Sequence, residues 1–229
     1  MVDWEKNWRS NGVIAAVLFI VSFIFYGSQP KVGASAEKLV SFYDGDSARI
    51  LIATIIFGFA TLCLMWFAAA LASVLRDAGK GGWGTAATAA GAAIGAVYFV
   101  RITLRAALAY SIASSGNDQV TSALNDVSWA VIVIGWFPIA MLIMAGSFGL
   151  WRAGIFSNAA FGAGVTAMVL VLLGTTTWTS DGFWAADGGF ARFVPTIVML
   201  LWIAVVSGFL RMRSPSTANA PDRATVPAA

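Results

Sequence analysis

Arg101 and Arg105 stand four residues apart in "YFVRITLRAALAY", residues 98–110, a stretch that is otherwise soluble in lipid. Residues at that spacing share one face of a helix, so both guanidinium groups would project on the side that also carries Tyr98, Ile94 and Leu108. A guanidinium stays ionised and offers planar N–H donors that match a carboxylate or a phosphate. Placing one at the centre of a membrane span costs about 2.5–3.5 kcal/mol, so its surroundings must supply negative charge or polar company. Two uses meet that need: an internal ion-pair network that fixes helix register, or an outward-facing pocket for an anion such as a lipid headgroup or a carboxylate metabolite. The carboxylates within reach of such a network are Asp126, Asp181 and Asp187. Tyr98, Thr175, Thr176, Thr177, Thr179 and Trp178 are the residues expected to line a pocket. Counting back from Tyr110 at about 1.5 Å per residue, Arg105 lies roughly 7 Å and Arg101 roughly 13 Å inside the span. Arg105 is therefore expected to snorkel to the outer interface, and Arg101 is too deep to do so.

Other chemistry is sparse. Histidine is absent, which removes the usual ligands of haem, zinc and copper and the usual general base near neutral pH. Cys63 is the single cysteine, and no mid-span carboxylate pair, nucleophile motif or phosphate-binding loop is present. The expectation is a protein that is not an enzyme and has no cofactor and no metal site.

The element that must position the arginines is a membrane-spanning helix. The chain of 229 residues is 59% hydrophobic and only 11% charged, against about 25% charged for soluble domains. Six apolar stretches, at about 12–27, 50–75, 85–110, 127–150, 159–178 and 194–210, meet or approach the roughly 20 residues a helix needs to cross the hydrocarbon layer. They lack the strict alternation of barrel strands, so the fold expected is all-α, a polytopic membrane helix bundle of six transmembrane helices. Residues 1–211 form this domain, and residues 212–229, rich in Pro, Ala, Ser and Thr, read as a disordered cytoplasmic tail.

Charge sets the orientation. With six spans both termini share one side, and that side carries net +4 while the other carries −3, with Arg101 and Arg105 completing the total of +3. The positive side is cytoplasmic, so both termini are cytoplasmic. The basic residues are scattered along membrane edges and form no patch, so the lipid bilayer is the expected partner and nucleic acid is not. Trp4, Trp8, Trp83, Trp151, Trp178 and Trp184 fall near the expected interfaces, where amphipathic rings anchor.

Several positions point to helix packing. Gly91 and Gly95 in "TAATAAGAAIGAVYF" let a neighbouring backbone approach, with Gly162 and Gly164 serving likewise in the fifth span. Pro138 cannot donate to the carbonyl of Ile134, so a kink is expected there, with a cavity lined by Ile134, Trp136 and Pro138. In the first outer loop, "SAEKLVSFYDG" reads as a short amphipathic helix carrying Leu39, Val40, Phe42 and Tyr43, capped by Ser35, with Asp46 capping the span that follows.

The segments "SAEKLVSFYDGDSARIL", "LMWFAAALASVLRDAG" and "WFPIAMLIMAGSFGLWRAG" resemble an uncharacterised bacterial family of six-span membrane proteins, known only as a domain of unknown function. The resemblance covers roughly residues 11–211 and implies six helices in a bacterial cytoplasmic (inner) membrane. It brings no catalytic residue with it. The function expected is that of an integral membrane binding or accessory protein. It either packs in a complex with other membrane subunits or with copies of itself, or holds a small anionic or lipid-like ligand from the outer side. The alternative is a small transporter for an anionic or amphipathic solute. Against it, the cytoplasmic end of the third span offers only Thr85 and Thr88 as polar groups.

Overall fold

The computed structural model describes residues 8–212. Seven α-helices account for most of them: α1 (Asn11–Tyr26), α2 (Ala36–Tyr43), α3 (Ser47–Asp77), α4 (Gly81–Ala107), α5 (Asp118–Arg152), α6 (Asn158–Leu173) and α7 (Gly189–Met212). A π turn, Leu108–Ile112, and a 3-10 turn, Ala113–Ser115, prolong α4, and a second 3-10 turn, Gly174–Thr176, prolongs α6. Among the described residues the one β feature is an isolated bridge between Thr179 and Ala185. With their extensions, α3, α4, α5, α6 and α7 are long and apolar enough to cross a membrane, and α1, at 16 residues, is shorter. The protein is a helical membrane bundle. The charges of Lys6, Arg213 and Arg223, the ring of Trp4 and the tail beyond Met212 lie outside the described residues.

Helices α3, α4, α5 and α7 outrun the apolar stretches from which they were expected, whereas α1 and α6 do not. The fifth helix begins at Asp118, nine residues before the apolar run, because Asn117 accepts from the Val120 N–H and satisfies one of the free donors at that end. Asp46 does not cap α3. Its carboxylate is taken by Arg49 one turn on, at 2.5 Å, which leaves it unable to face the backbone. Ser35 precedes α2 in extended conformation, but its hydroxyl makes no cap bond either.

Packing centres on α3 and α4. A Cβ on Gly91 would stand 2.6 Å from Ala68 Cβ, and one on Gly95 would stand 2.6 Å from Met65 Sδ, so the two backbones lie at a separation that only glycine permits. In α6, Gly164 sits against Ser147 of α5, whereas Gly162 faces open space. The former is a helix contact and the latter is not. Helix α5 continues through Pro138 as a single helix. Of the three residues expected around a proline cavity, Trp136 is buried and Ile134 points outward, because a helix turns their side chains about 200° apart. Helix α2 buries Leu39 and Tyr43 against Tyr26, Ile50 and Ala53 and the π turn at Leu108 and Ala109, so it roofs one end of the bundle. The opposite end holds the start of α1 and the close of α7.

Candidate functional site

Arg101 and Arg105 are both turned into the bundle, at 6% and 5% exposure, on the α4 face that also buries Ile94, Tyr98 and Leu108. The π turn that follows Ala107 adds a residue to the helical repeat. Such turns recur at functional sites because they reset which side chains face inward. Here Leu108 and Ala109 stay inside and Tyr110 is turned out.

Arg105 does not snorkel. Its guanidinium donates to Gln29 Oε1 and lies over the Tyr26 ring, with Cζ 4.2 Å from the ring centroid. Gln29 follows α1 by three residues, beyond Gly27, whose φ of 74° turns the chain inward over the bundle. The Gln29 side-chain nitrogen donates to Ser128 Oγ at 2.7 Å and to Asn125 Oδ1 at 3.4 Å. Asn125 Oδ1 also accepts from Tyr43 Oη at 2.9 Å, and Asn125 Nδ2 donates to the Lys31 carbonyl at 3.1 Å. Trp129 Nε1 holds the Pro30 carbonyl at 2.9 Å. The segment from Gln29 to Lys31 is thereby fastened to Asn125, Ser128 and Trp129 of α5, and Arg105 closes the network.

Arg101 is treated differently. It makes no hydrogen bond with any described residue, and its Nε is fully enclosed. Neither arginine has a carboxylate partner among the described residues. Both line a cavity of about 550 Å³ bounded by α1, α4, α5 and α7. Its polar lining includes Arg101, Arg105, Gln29 and Arg192. The remainder is walled by apolar side chains, among them Phe23, Phe57, Ile132, Trp136 and Leu200. Three enclosed N–H groups of residues that line it, Arg101 Nε, Arg105 Nε and Trp136 Nε1, have no acceptor among the described residues. Buried donors are normally paired, and each orphan costs about 1–3 kcal/mol. The chamber is thus rich in donors and poor in acceptors.

The three expected carboxylate partners are elsewhere. Asp126 accepts from the Gly33 N–H at 3.3 Å and from Asn125 Nδ2 at 3.2 Å, and Asp187 accepts from the Val32 N–H at 3.0 Å. Asp181 and Asp187 line a separate, smaller pocket of about 410 Å³ with Lys31 and Arg192. The reason is local. These acids sit where loop N–H groups and water can solvate them, and sinking them to the arginines would add carboxylate desolvation to that of the guanidinium groups. The threonine run is also absent from the chamber: Thr175, Thr176 and Thr177 return their hydroxyls to the carbonyls of Leu172, Leu173 and Gly174. Trp178 donates to the Thr175 carbonyl at 2.8 Å. Tyr98 does line the cavity, with its hydroxyl 3.4 Å from Met199 Sδ, and Pro138 does not.

No protein-family model, curated protein or solved structure gives a match to this chain. The chemistry of the site rests on its own residues. Gln29 and Arg192 belong to it and were not expected there. Gln29 sits in "GSQPK", which reads as an ordinary polar loop, and Arg192 was assigned only to a membrane edge. The guanidinium of Arg192 lies over the Trp129 ring, 5.5 Å from the centroid, and reaches both pockets.

Proposed function

We propose that this chain is a six-span membrane protein with both termini in the cytoplasm that binds an anionic ligand in the arginine chamber. On this reading α1 is the sixth span, and the resemblance noted above favours a bacterial inner membrane. The observation that carries the proposal is Arg101: a permanent cation, nearly fully buried, facing a cavity without a hydrogen bond or a counter-ion among the described residues. A carboxylate or phosphate against its guanidinium would make charge-assisted hydrogen bonds and neutralise two adjacent like charges.

A holding function fits better than transport. Toward the end bearing the termini, the interior continues as packed Phe19, Leu64, Phe67 and Leu71. The test is a thermal melt of the full chain in mild detergent, titrated with butyrate and with inorganic phosphate. The parent gains stability with ligand concentration, and Arg101→Met loses that gain. Equal shifts in both proteins, or none in the parent, contradict the proposal.

A further inference from the structure

The chamber has a mouth, and the mouth is apolar. At the end bearing the termini, α1 and α7 touch. A Cβ on Gly12 would stand 2.6 Å from Ser207 Cβ, and Ser207 Oγ accepts from the Val13 N–H at 3.3 Å. Toward the loop end both helices line the cavity. Ile20 and Ile24 on α1, and Phe193 and Ile197 on α7, line the cavity yet remain exposed, Ile24 at 72% and Ile197 at 51%. Side chains that both line a cavity and stay exposed mark its opening. On the flank of a membrane bundle, an opening rimmed by two isoleucines on one side and Phe193 and Ile197 on the other faces hydrocarbon, because aqueous rims are polar.

The size of the chamber points the same way. A bare carboxylate or phosphate fills no more than a few water volumes of about 30 Å³ each. That leaves most of the roughly 550 Å³ to something apolar. Aromatic and aliphatic side chains make up most of the lining beside the arginines.

Resting on the anion site proposed above, we infer that the occupant is an acidic acyl amphiphile. Its carboxylate or phosphate lies on Arg101 and Arg105, and its hydrocarbon chain leaves the bundle sideways between α1 and α7 into the bilayer. A headgroup entering from the lipid would meet Arg192 near the rim before it reaches the deeper pair.

The experiment compares butyrate, palmitate and phosphatidylglycerol as probes in melts of the full chain, using the parent, Arg101→Met and two plugs placed on facing helices, Ile20→Trp and Ile197→Trp. The parent is expected to bind palmitate at least about tenfold more tightly than butyrate. Each plug weakens palmitate about tenfold and leaves butyrate within about twofold, and the retained butyrate shift shows that the plugged proteins are folded. A phosphatidylglycerol shift that the plugs abolish assigns the headgroup to phospholipid, and a palmitate shift alone assigns it to a free fatty acid. If butyrate binds through Arg101 but palmitate gains nothing and the plugs change nothing, the lateral acyl site is wrong while the anion site stands. If Arg101→Met retains every shift, both are wrong.

Discussion

Arg105 donates to Gln29 Oε1, and Gln29 in turn donates to Ser128 Oγ and Asn125 Oδ1, so one neutral amide neighbours a buried cation and ties a loop to α5. Replacing that amide with a carboxylate gives the arginines an internal counter-ion. Gln29→Glu gives up the N–H bonds to Ser128 and Asn125 and is expected to weaken butyrate binding at least about tenfold, since the site is then already neutralised. Gln29→Leu removes a hydrogen bond to a charged group and is expected to cost about 1.5–3 kcal/mol. Thermal melts with and without butyrate read both effects, and unchanged affinity in Gln29→Glu would detach the amide from the site.

Arg101 has no hydrogen bond to lose, so its removal has an unusual signature. Arg101→Met, which leaves a flexible apolar side chain and removes the charge, is expected to leave the ligand-free protein as stable as the parent or more so. The same substitution at Arg105 breaks the bond to Gln29 and the contact with Tyr26, and lowers stability. The comparison is made by denaturation without added anions. A marked destabilisation in Arg101→Met would mean that the arginine serves the fold.

The fold was legible in the sequence wherever apolar length governs. Each apolar stretch became a helix, and Gly91 and Gly95 lie where small residues let α4 approach α3. The arginine pair stood out because a cation in an apolar run is costly. Its surroundings were not legible. Gln29 reaches Arg105 only because the chain turns inward after Gly27, and nothing in "GSQPK" signals whether a loop dips into a bundle or stays in water. Asp126, Asp181 and Asp187 were the obvious electrostatic partners by sign. Position decides instead, and Asp126 and Asp187 hold the N–H groups of Gly33 and Val32.

The α3–α4 contact gives a packing prediction with an internal control. Gly91→Val forces a Cβ to within 2.6 Å of Ala68 Cβ and is expected to cost about 1–3 kcal/mol. Gly162→Ala on α6, where a Cβ meets nothing within 4 Å, is expected to be neutral or to stabilise slightly by helix propensity. Denaturation of the two variants side by side checks the pair. Equal effects would contradict the α3–α4 interface.

Tyr43 predicts a response to alkali. It lies in the roof helix, fully buried, with its hydroxyl on Asn125, and burial pushes its phenol well above the ordinary value. A phenol that ionises at about pH 10 in the unfolded chain but resists in the folded one contributes stability that is fully present below about pH 10 and is lost as pH rises further. Melting temperatures between about pH 8 and 11 should therefore fall steeply above pH 10, and less steeply in Tyr43→Phe. Identical slopes would place the loss elsewhere.

We propose that Arg101, buried and unpaired among the described residues, holds an acidic amphiphile in the α1–α7 chamber. Native mass spectrometry of the full chain released from mild detergent tests it most directly. The parent should retain a bound acidic lipid or fatty acid that Arg101→Met lacks. A parent that emerges bare after exposure to palmitate and phosphatidylglycerol, or an Arg101→Met protein carrying the same adduct, would contradict it.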